Sequence, residues 1–213
     1  MRGFKIAVPV VLVALMAATA FAADTKMSKM SSGSSAHNWT FGINGGGNFP
    51  TGDYKNEANT GYSFGAQADW WLNSQWGFGV DGAYHSNNGS DDFNTTTAVP
   101  LGGTGATGKF HTFQYGVHAI YMIPVQGSSI YPYIQAGTGG YSLSAKIDGG
   151  TTSVPDVSTT AYGFNGGAGV DFHATDVVSL GVGGTYNYAT KNGTSTNWFG
   201  VNGRVTFKIP MNK

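Results

Sequence analysis

Alternation of large apolar side chains with glycine and small polar residues is the feature that most restricts the fold of this chain. It starts near residue 39 and recurs in eight runs of about 9 to 13 residues, the last ending near residue 207. Successive side chains of a strand point to opposite sides of a sheet, so each run predicts a strand with one apolar and one polar face. In the third run, one face includes Trp76, Phe78 and Val80. The other face includes Gly79 and Asp81.

The connections between the runs alternate in length. Short turns are predicted near residues 73, 126 and 174, and longer polar loops at 50–60, 87–108, 146–158 and 189–196. This asymmetry is typical of membrane-spanning barrels, in which the periplasmic turns are short and the outer loops long. The strand lengths also suit tilted strands that cross a bilayer.

Composition limits the classes of protein that are compatible with this pattern. Only 10% of the residues are charged, whereas about a quarter are charged in an ordinary soluble domain. The formal net charge is zero, so nothing indicates a nucleic-acid partner. The chain has no cysteine, which excludes disulfides and thiolate metal sites.

The chemistry of the two faces predicts that the sheet closes. In hydrocarbon, an open sheet edge would leave backbone N–H and C=O groups without partners, at several kcal/mol each. We therefore predict an all-β fold, an eight-stranded antiparallel transmembrane β-barrel with its apolar face toward lipid. The facing of the fifth run is ambiguous, because Ile134 and Ala136 alternate with Tyr133 and Leu143 and a bulge could switch the faces.

The first residues predict export. Arg2 and Lys5 precede an apolar run that ends in the small residues of a cleavage site, so residues 1–22 are interpreted as a removed signal peptide. The remaining boundaries are a flexible periplasmic leader at 23–37, the barrel at 38–209 and a short tail at 210–213.

One group of ionisable residues on the polar faces is the first candidate site. Counting from the strand ends places four of them at similar depth inside the barrel: Asp69, Asp81, His118 and Arg204. Buried charges are costly unless they are paired, so we expect a structural salt-bridge cluster. A gated path for protons or ions is the alternative.

Two other motifs suggest chemistry less strongly. His85 and Ser86 lie close to Asp91 and Asp92, but adjacent strand residues point to opposite faces, so a hydrolytic triad is not expected. The run from Gly103 to Gly108 matches G-x-G-x-x-G, yet a strand rather than a helix follows it. No spacing of histidines or carboxylates predicts a metal site, and no cofactor is expected.

The pattern as a whole, with the closing run from Asn197 to Phe207, resembles the small outer-membrane β-barrel family of the OmpA/OmpX type. The resemblance covers about residues 38–209. It implies that Phe207 is the C-terminal aromatic residue read by the barrel assembly machinery, although six residues follow it.

The resemblance also implies a location and partners. We expect a monomer in the outer membrane, in contact with its lipid and lipopolysaccharide, that periplasmic chaperones and the assembly machinery deliver there. The leading hypothesis is a non-enzymatic barrel with a structural or surface-interaction role that presents four polar loops. A narrow small-solute channel is the alternative, and a lipid A-modifying hydrolase is a third.

Overall fold

The computed structural model describes residues 38–125 and 127–210. The predicted signal peptide at 1–22 and leader at 23–37 lie outside the described residues, as does most of the predicted tail. Within the described residues, no helix is long and apolar enough to cross a membrane.

Eight strands make up most of the structure. Their bounds are β1 Asn38–Thr51, β2 Gly61–Trp71, β3 Trp76–Asn88, β4 Thr107–Met122, β5 Ile130–Asp148, β6 Val157–His173, β7 Val178–Lys191 and β8 Thr194–Pro210.

Each strand pairs antiparallel with its sequence neighbours, and β1 pairs with β8, so the sheet closes on itself. The predicted eight-stranded antiparallel barrel is therefore confirmed. The connections at 72–75 and 174–177, and the described residues between β4 and β5, lie at the end of the barrel where β1 starts and β8 finishes. We call this the turn end, and the opposite end the loop end.

The two faces of the sheet divide as the alternation predicts. Phe41, Val80 and Val117 point away from the barrel axis and are 45%, 57% and 55% exposed. Asp69 and Asn165 point inward and are 1% and 6% exposed. An eight-stranded barrel is just wide enough for its interior side chains to fill it.

The fifth strand has one constant facing. Its pairing with β4 and β6 is unbroken, so there is no bulge. Ile134 is exposed on the outside, whereas Tyr133 and Tyr141 are buried in the interior. The ambiguity arose because this strand has large side chains on both faces.

The loop at 189–196 is a wrong prediction. β7 and β8 continue to Lys191 and Thr194, and only Asn192 and Gly193 connect them. Both residues have positive φ, of 51° and 84°, which is the geometry of a tight hairpin turn that Asn-Gly favours. The barrel therefore presents three loops and one tight turn rather than four loops.

The three loops are held against one another. Loop 1, at 52–60, contains helix α1 (Tyr54–Glu57), and loop 2, at 89–106, contains a continuous helical segment from Asp91 to Gly102. Backbone hydrogen bonds join loop 1 to loop 2, from the Ser90 N–H to the Glu57 C=O at 2.8 Å. Loop 3, at 149–156, contacts loop 2 through the Thr152 N–H, which donates to the Gly102 C=O at 2.9 Å.

Candidate functional site

The first part of the candidate site is a histidine held between two carboxylates in the interior, near the turn end. His118 Nε2 lies 2.7 Å from Asp69 Oδ1, and His118 Nδ1 lies 2.9 Å from Asp81 Oδ1. Because both ring nitrogens face carboxylate oxygens, only the doubly protonated imidazolium can donate both hydrogen bonds. Asp69, Asp81 and His118 are called the His118 network below.

Neutral side chains complete the surroundings of the two carboxylates. Asp69 Oδ2 accepts hydrogen bonds from Gln67 Nε2 at 2.9 Å and from Thr40 Oγ1 at 3.1 Å. Asp81 Oδ2 accepts one from Gln114 Nε2 at 3.0 Å. Such satisfaction reduces the free-energy cost of burying these charges.

Arg204 is also buried in the interior of the barrel but pairs with a different carboxylate. Its guanidinium donates from Nε to Asp171 Oδ1 at 2.7 Å and from Nη2 to Asp171 Oδ2, a two-pronged pair. The same guanidinium lies 3.9 Å from the ring centroid of Tyr133. The prediction that all four residues form one cluster is therefore corrected: three are in contact, and Arg204 forms a separate pair.

The position of Asp171 could have been predicted from strand register. Asp171, Gly181 and Arg204 lie side by side on β6, β7 and β8. A β-carbon on Gly181 would collide with Asp171 Oδ1, so the glycine leaves the space in which acid and base meet. Sequence reasoning placed Asp171 on the polar face but did not align these strands.

The His118 network has the same arrangement. Asp69, Gly79 and His118 lie side by side on β2, β3 and β4. A β-carbon on Gly79 would collide with Asp69 Oδ1 and would come within 2.9 Å of the His118 ring. Both sites therefore consist of an acid and a base that meet across a glycine.

A second layer closes the interior nearer the loop end. Trp198 is 1% exposed, and its ring packs edge-on against Tyr141 at 5.6 Å and against His85 at 5.1 Å. We call these three residues the aromatic layer. The prediction that aromatic residues face lipid does not hold for Trp198, which shares its parity with Arg204 and so points inward.

A small chamber lies between the aromatic layer on one side and the His118 network and the Arg204 pair on the other. Its volume is about 80 Å³, and its lining is mostly amide and hydroxyl side chains, among them Asn44, Ser63, Gln135, Asn165, Asn187 and Asn202. Since one water molecule occupies about 30 Å³ of liquid, the chamber has room for only a few small molecules of that size.

The other sequence motifs do not form a catalytic centre. His85 points inward to the aromatic layer, whereas Ser86 points outward and lies 3.3 Å from His111 Nδ1 on the next strand. The Gly103–Gly108 run joins the helical segment of loop 2 to β4, which is the reverse of a dinucleotide-binding order.

Comparison with known protein families decides the identity of the barrel. The family model described as the outer membrane protein beta-barrel domain matches residues 8–207. The chain belongs to this family. Among curated proteins, none matches the chain.

Solved structures of outer-membrane barrels are similar to this barrel in fold. Neisserial surface protein A is 21% identical with a TM-score of 0.55, over 81% of this chain and 97% of that one. Ail, the attachment invasion locus protein of Yersinia pestis, is 15% identical with a TM-score of 0.55, over 82% and 100%. A major outer membrane protein from Thermus thermophilus is 12% identical with a TM-score of 0.52, over 80% and 99%.

Family membership places the barrel in the bacterial outer membrane. Its exposed apolar face is then the surface in contact with lipid, and the turn end is the periplasmic end of the family's usual orientation. Trp39, Trp70 and Trp76 lie on outward positions near this end, where amphipathic rings favour the headgroup level. Trp71 differs, because its Nε1 donates to Thr40 Oγ1 inside the barrel at 3.0 Å.

Proposed function

We propose that this protein is a non-enzymatic outer-membrane barrel with a structural or surface-interaction role, for which loops 1 to 3 supply the outer surface. The single observation that carries the proposal is the filled interior. The His118 network, the Arg204 pair and the aromatic layer occupy the lumen at two levels. A barrel filled in this way favours a scaffold over a transport path.

The outer surface has a defined charge on one side. Loop 1 and the start of loop 2 contain Asp53, Glu57, Asp91 and Asp92 but only Lys55 as a cation. Ail was solved in complex with the heparin analogue sucrose octasulfate, a polyanion. The acidic charge of loops 1 and 2 argues against a similar ligand there and favours a neutral or cationic partner.

The test separates the role of the loops from that of the barrel, in cells that lack the protein. Such cells receive the wild-type gene or a variant in which residues 91–102 are replaced by a short Gly-Ser linker. Envelope integrity is measured as sensitivity to detergent, and surface interaction as adhesion to host cells or abiotic surfaces. A structural role predicts that both genes restore integrity, whereas a surface role predicts that only the wild type restores adhesion. If loss of the protein alters neither property, the proposal is wrong.

The narrow channel is the second candidate, and the polar chamber is the observation that favours it. Conductance of the purified barrel in planar bilayers distinguishes the two. We expect no steady conductance from the wild type, because charged pairs and aromatic rings block the lumen. Steady ion-selective conductance in the wild type would favour the channel instead.

We also propose that Phe207 is the assembly signal implied by the family. It is exposed to lipid and pairs with Phe41 of β1 and Val178 of β7, at the seam where the barrel closes. Phe207→Ala is expected to slow assembly in cells, measured as the fraction of heat-modifiable barrel. Phe199→Ala, on the same face of β8, is the matched control. An equal loss in both variants would indicate general destabilisation rather than a signal.

A further inference from the structure

The lipid-facing wall of the barrel is interrupted on β5. Toward the turn end, this face of β5 is apolar, with Ile134 and Ala136. Toward the loop end, it continues with small or polar residues only, namely Thr138, Gly140, Ser142 and Ser144. The neighbouring strands keep large aromatic residues there, with Phe113 on β4 and Tyr162 on β6, which are 51% and 76% exposed. The result is a shallow polar strip between two aromatic ridges, crossed at Gly140 by the ring of Tyr115.

The two serine hydroxyls of the strip are free to bind a ligand, whereas Thr138 Oγ1 donates to the Gly163 C=O at 2.8 Å. Ser142 and Ser144 are half-buried, and neither side chain has a hydrogen-bond partner among residues 38–125 and 127–210. Leu143 packs against the interior aromatic layer, which fixes both serines on the outside. Unpaired hydroxyls are poorly suited to contact with acyl chains, so the strip suits a polar group at headgroup depth.

Two lysines lie directly above the strip. Lys109 and Lys146 are register partners on β4 and β5, on the lipid-facing side of the barrel. Like charges directly opposite each other destabilise a sheet. His111 is next to Lys109 on the same face, and both lysines are within electrostatic range of its ring. Lys109, His111 and Lys146 therefore lie close together on the outer face, at the loop-end side of the strip.

The acidic partners of these lysines leave them available. Lys109 Nζ lies 2.9 Å from Asp148 Oδ2, and Lys146 Nζ lies 2.6 Å from Asp156 Oδ2. All four side chains are 39% to 53% exposed. Exposed ion pairs of this kind contribute little to stability, so a phosphate can replace either carboxylate at small cost.

His111 is fixed more firmly than the lysines. Its Nδ1 lies 2.7 Å from the Tyr84 hydroxyl, and the two rings stack with centroids 5.7 Å apart. The ring is thus oriented by a neighbour on β3, two residues along β4 from Lys109.

We propose that this wall binds a phosphorylated glycolipid of the outer leaflet, which in this membrane is lipopolysaccharide. Lys109, Lys146 and His111 hold the phosphate, and Ser142 and Ser144 hydrogen-bond to sugar hydroxyls. The acyl chains lie along the aromatic ridges of Phe113 and Tyr162. The site goes beyond the proposed function, which concerns the lumen and the loops and would remain if this site were disproved.

The test measures lipid binding to the folded barrel in detergent micelles, for example by native mass spectrometry. The probes are purified lipopolysaccharide, the same lipid after enzymatic removal of its phosphates, and inorganic phosphate. The double variant Lys109→Gln/Lys146→Gln removes two charges from the site. Lys55→Gln/Lys191→Gln removes two charges elsewhere and is the matched control. Heat-modifiable migration establishes that every variant is folded.

We expect the Lys109/Lys146 variant to bind lipopolysaccharide about tenfold or more weakly, and the control to stay within about twofold of the wild type. Dephosphorylated lipid should bind the wild type as weakly as intact lipid binds the variant. Ser142→Val/Ser144→Val should weaken both forms of the lipid by a similar factor.

Three results would overturn the proposal. The first is equal affinity of the two lysine variants, which would mean that the site is elsewhere. The second is undiminished binding of dephosphorylated lipid. The third is displacement of the lipid by an equal concentration of inorganic phosphate, which would indicate a site for the free anion.

Discussion

The two halves of the lumen, β2 to β4 and β6 to β8, each bury an aspartate beside a basic residue, but the basic residue differs. On β2 to β4, Asp69 and His118 meet across Gly79, and on β6 to β8, Asp171 and Arg204 meet across Gly181. Each glycine follows its aspartate by ten residues, and a valine follows each glycine. The two hairpins thus have the same plan at the positions that matter for burial of charge.

The difference between the halves lies in the number of carboxylates. The guanidinium fork of Arg204 satisfies both oxygens of Asp171 at once, and Gly183 stands two residues beyond Gly181. An imidazolium has donors on opposite edges, and the residue two beyond Gly79 is Asp81, which takes the second donor. The geometry of the base therefore determines how many acids its half of the lumen holds.

The largest effect is expected where one acid depends on one base. Arg204→Ala leaves Asp171 buried without a cation and should lower the free energy of unfolding by about 3 to 5 kcal/mol. Urea unfolding in lipid vesicles measures this. Arg204→Lys, which keeps the charge but not the fork, should lose less. A loss below about 1 kcal/mol for Arg204→Ala would show that Asp171 is hydrated or protonated instead.

The lipid-facing valines test whether the halves are equivalent on the outside. Val80→Arg and Val182→Arg each place a charge in hydrocarbon, next to Gly79 and Gly181. Each should lower the free energy of unfolding by about 2 to 4 kcal/mol. The same unfolding assay measures both. Gln67→Arg, on the lumen side of β2, is the contrasting variant and should lose less. Equal losses at lumen and lipid positions would contradict the facing of the strands.

His118→Ala should have a smaller effect than Arg204→Ala. Asp69 keeps its hydrogen bonds from Gln67 and Thr40, and Asp81 is partly exposed to the chamber, so about 2 to 3 kcal/mol is expected. Adding Asp69→Asn and Asp81→Asn to His118→Ala should recover part of the loss, because the uncompensated charges are gone. A further loss in the triple variant would mean that the carboxylates are stabilised by something other than His118.

The smallest effects are expected at the two glycines. Gly79→Ala pushes a methyl group against Asp69, and Gly181→Ala pushes one against Asp171. Each should lower the free energy of unfolding by about 1 to 3 kcal/mol. Gly203→Ala is the control, since its β-carbon would meet no atom closer than 4.0 Å. If the control loses as much, the glycines matter through backbone flexibility rather than through space for the acid–base pairs.

Several parts of the site could be predicted from single strands. The parity of Asp69 with Gln67, and of Asp81 with Gly79, is enough to place both aspartates inside. The Asn192-Gly193 turn was also readable as a hairpin signal, but the polar residues around it were interpreted as a loop. Trp198 and Tyr141 were harder, because an inward aromatic residue contradicts the general preference of these barrels for aromatic residues on the lipid side.

The sequence by itself determined the number of strands, the facing of nearly all of them and the membrane as their surroundings. These follow from a period of two and from the exclusion of unpaired backbone groups from hydrocarbon. Only the tertiary structure decided which acid meets which base, and that Lys109 stands opposite Lys146 on the outer wall. Those contacts join different strands, so they depend on the register and closure of the barrel. The alternation of residues within one strand does not specify either of these.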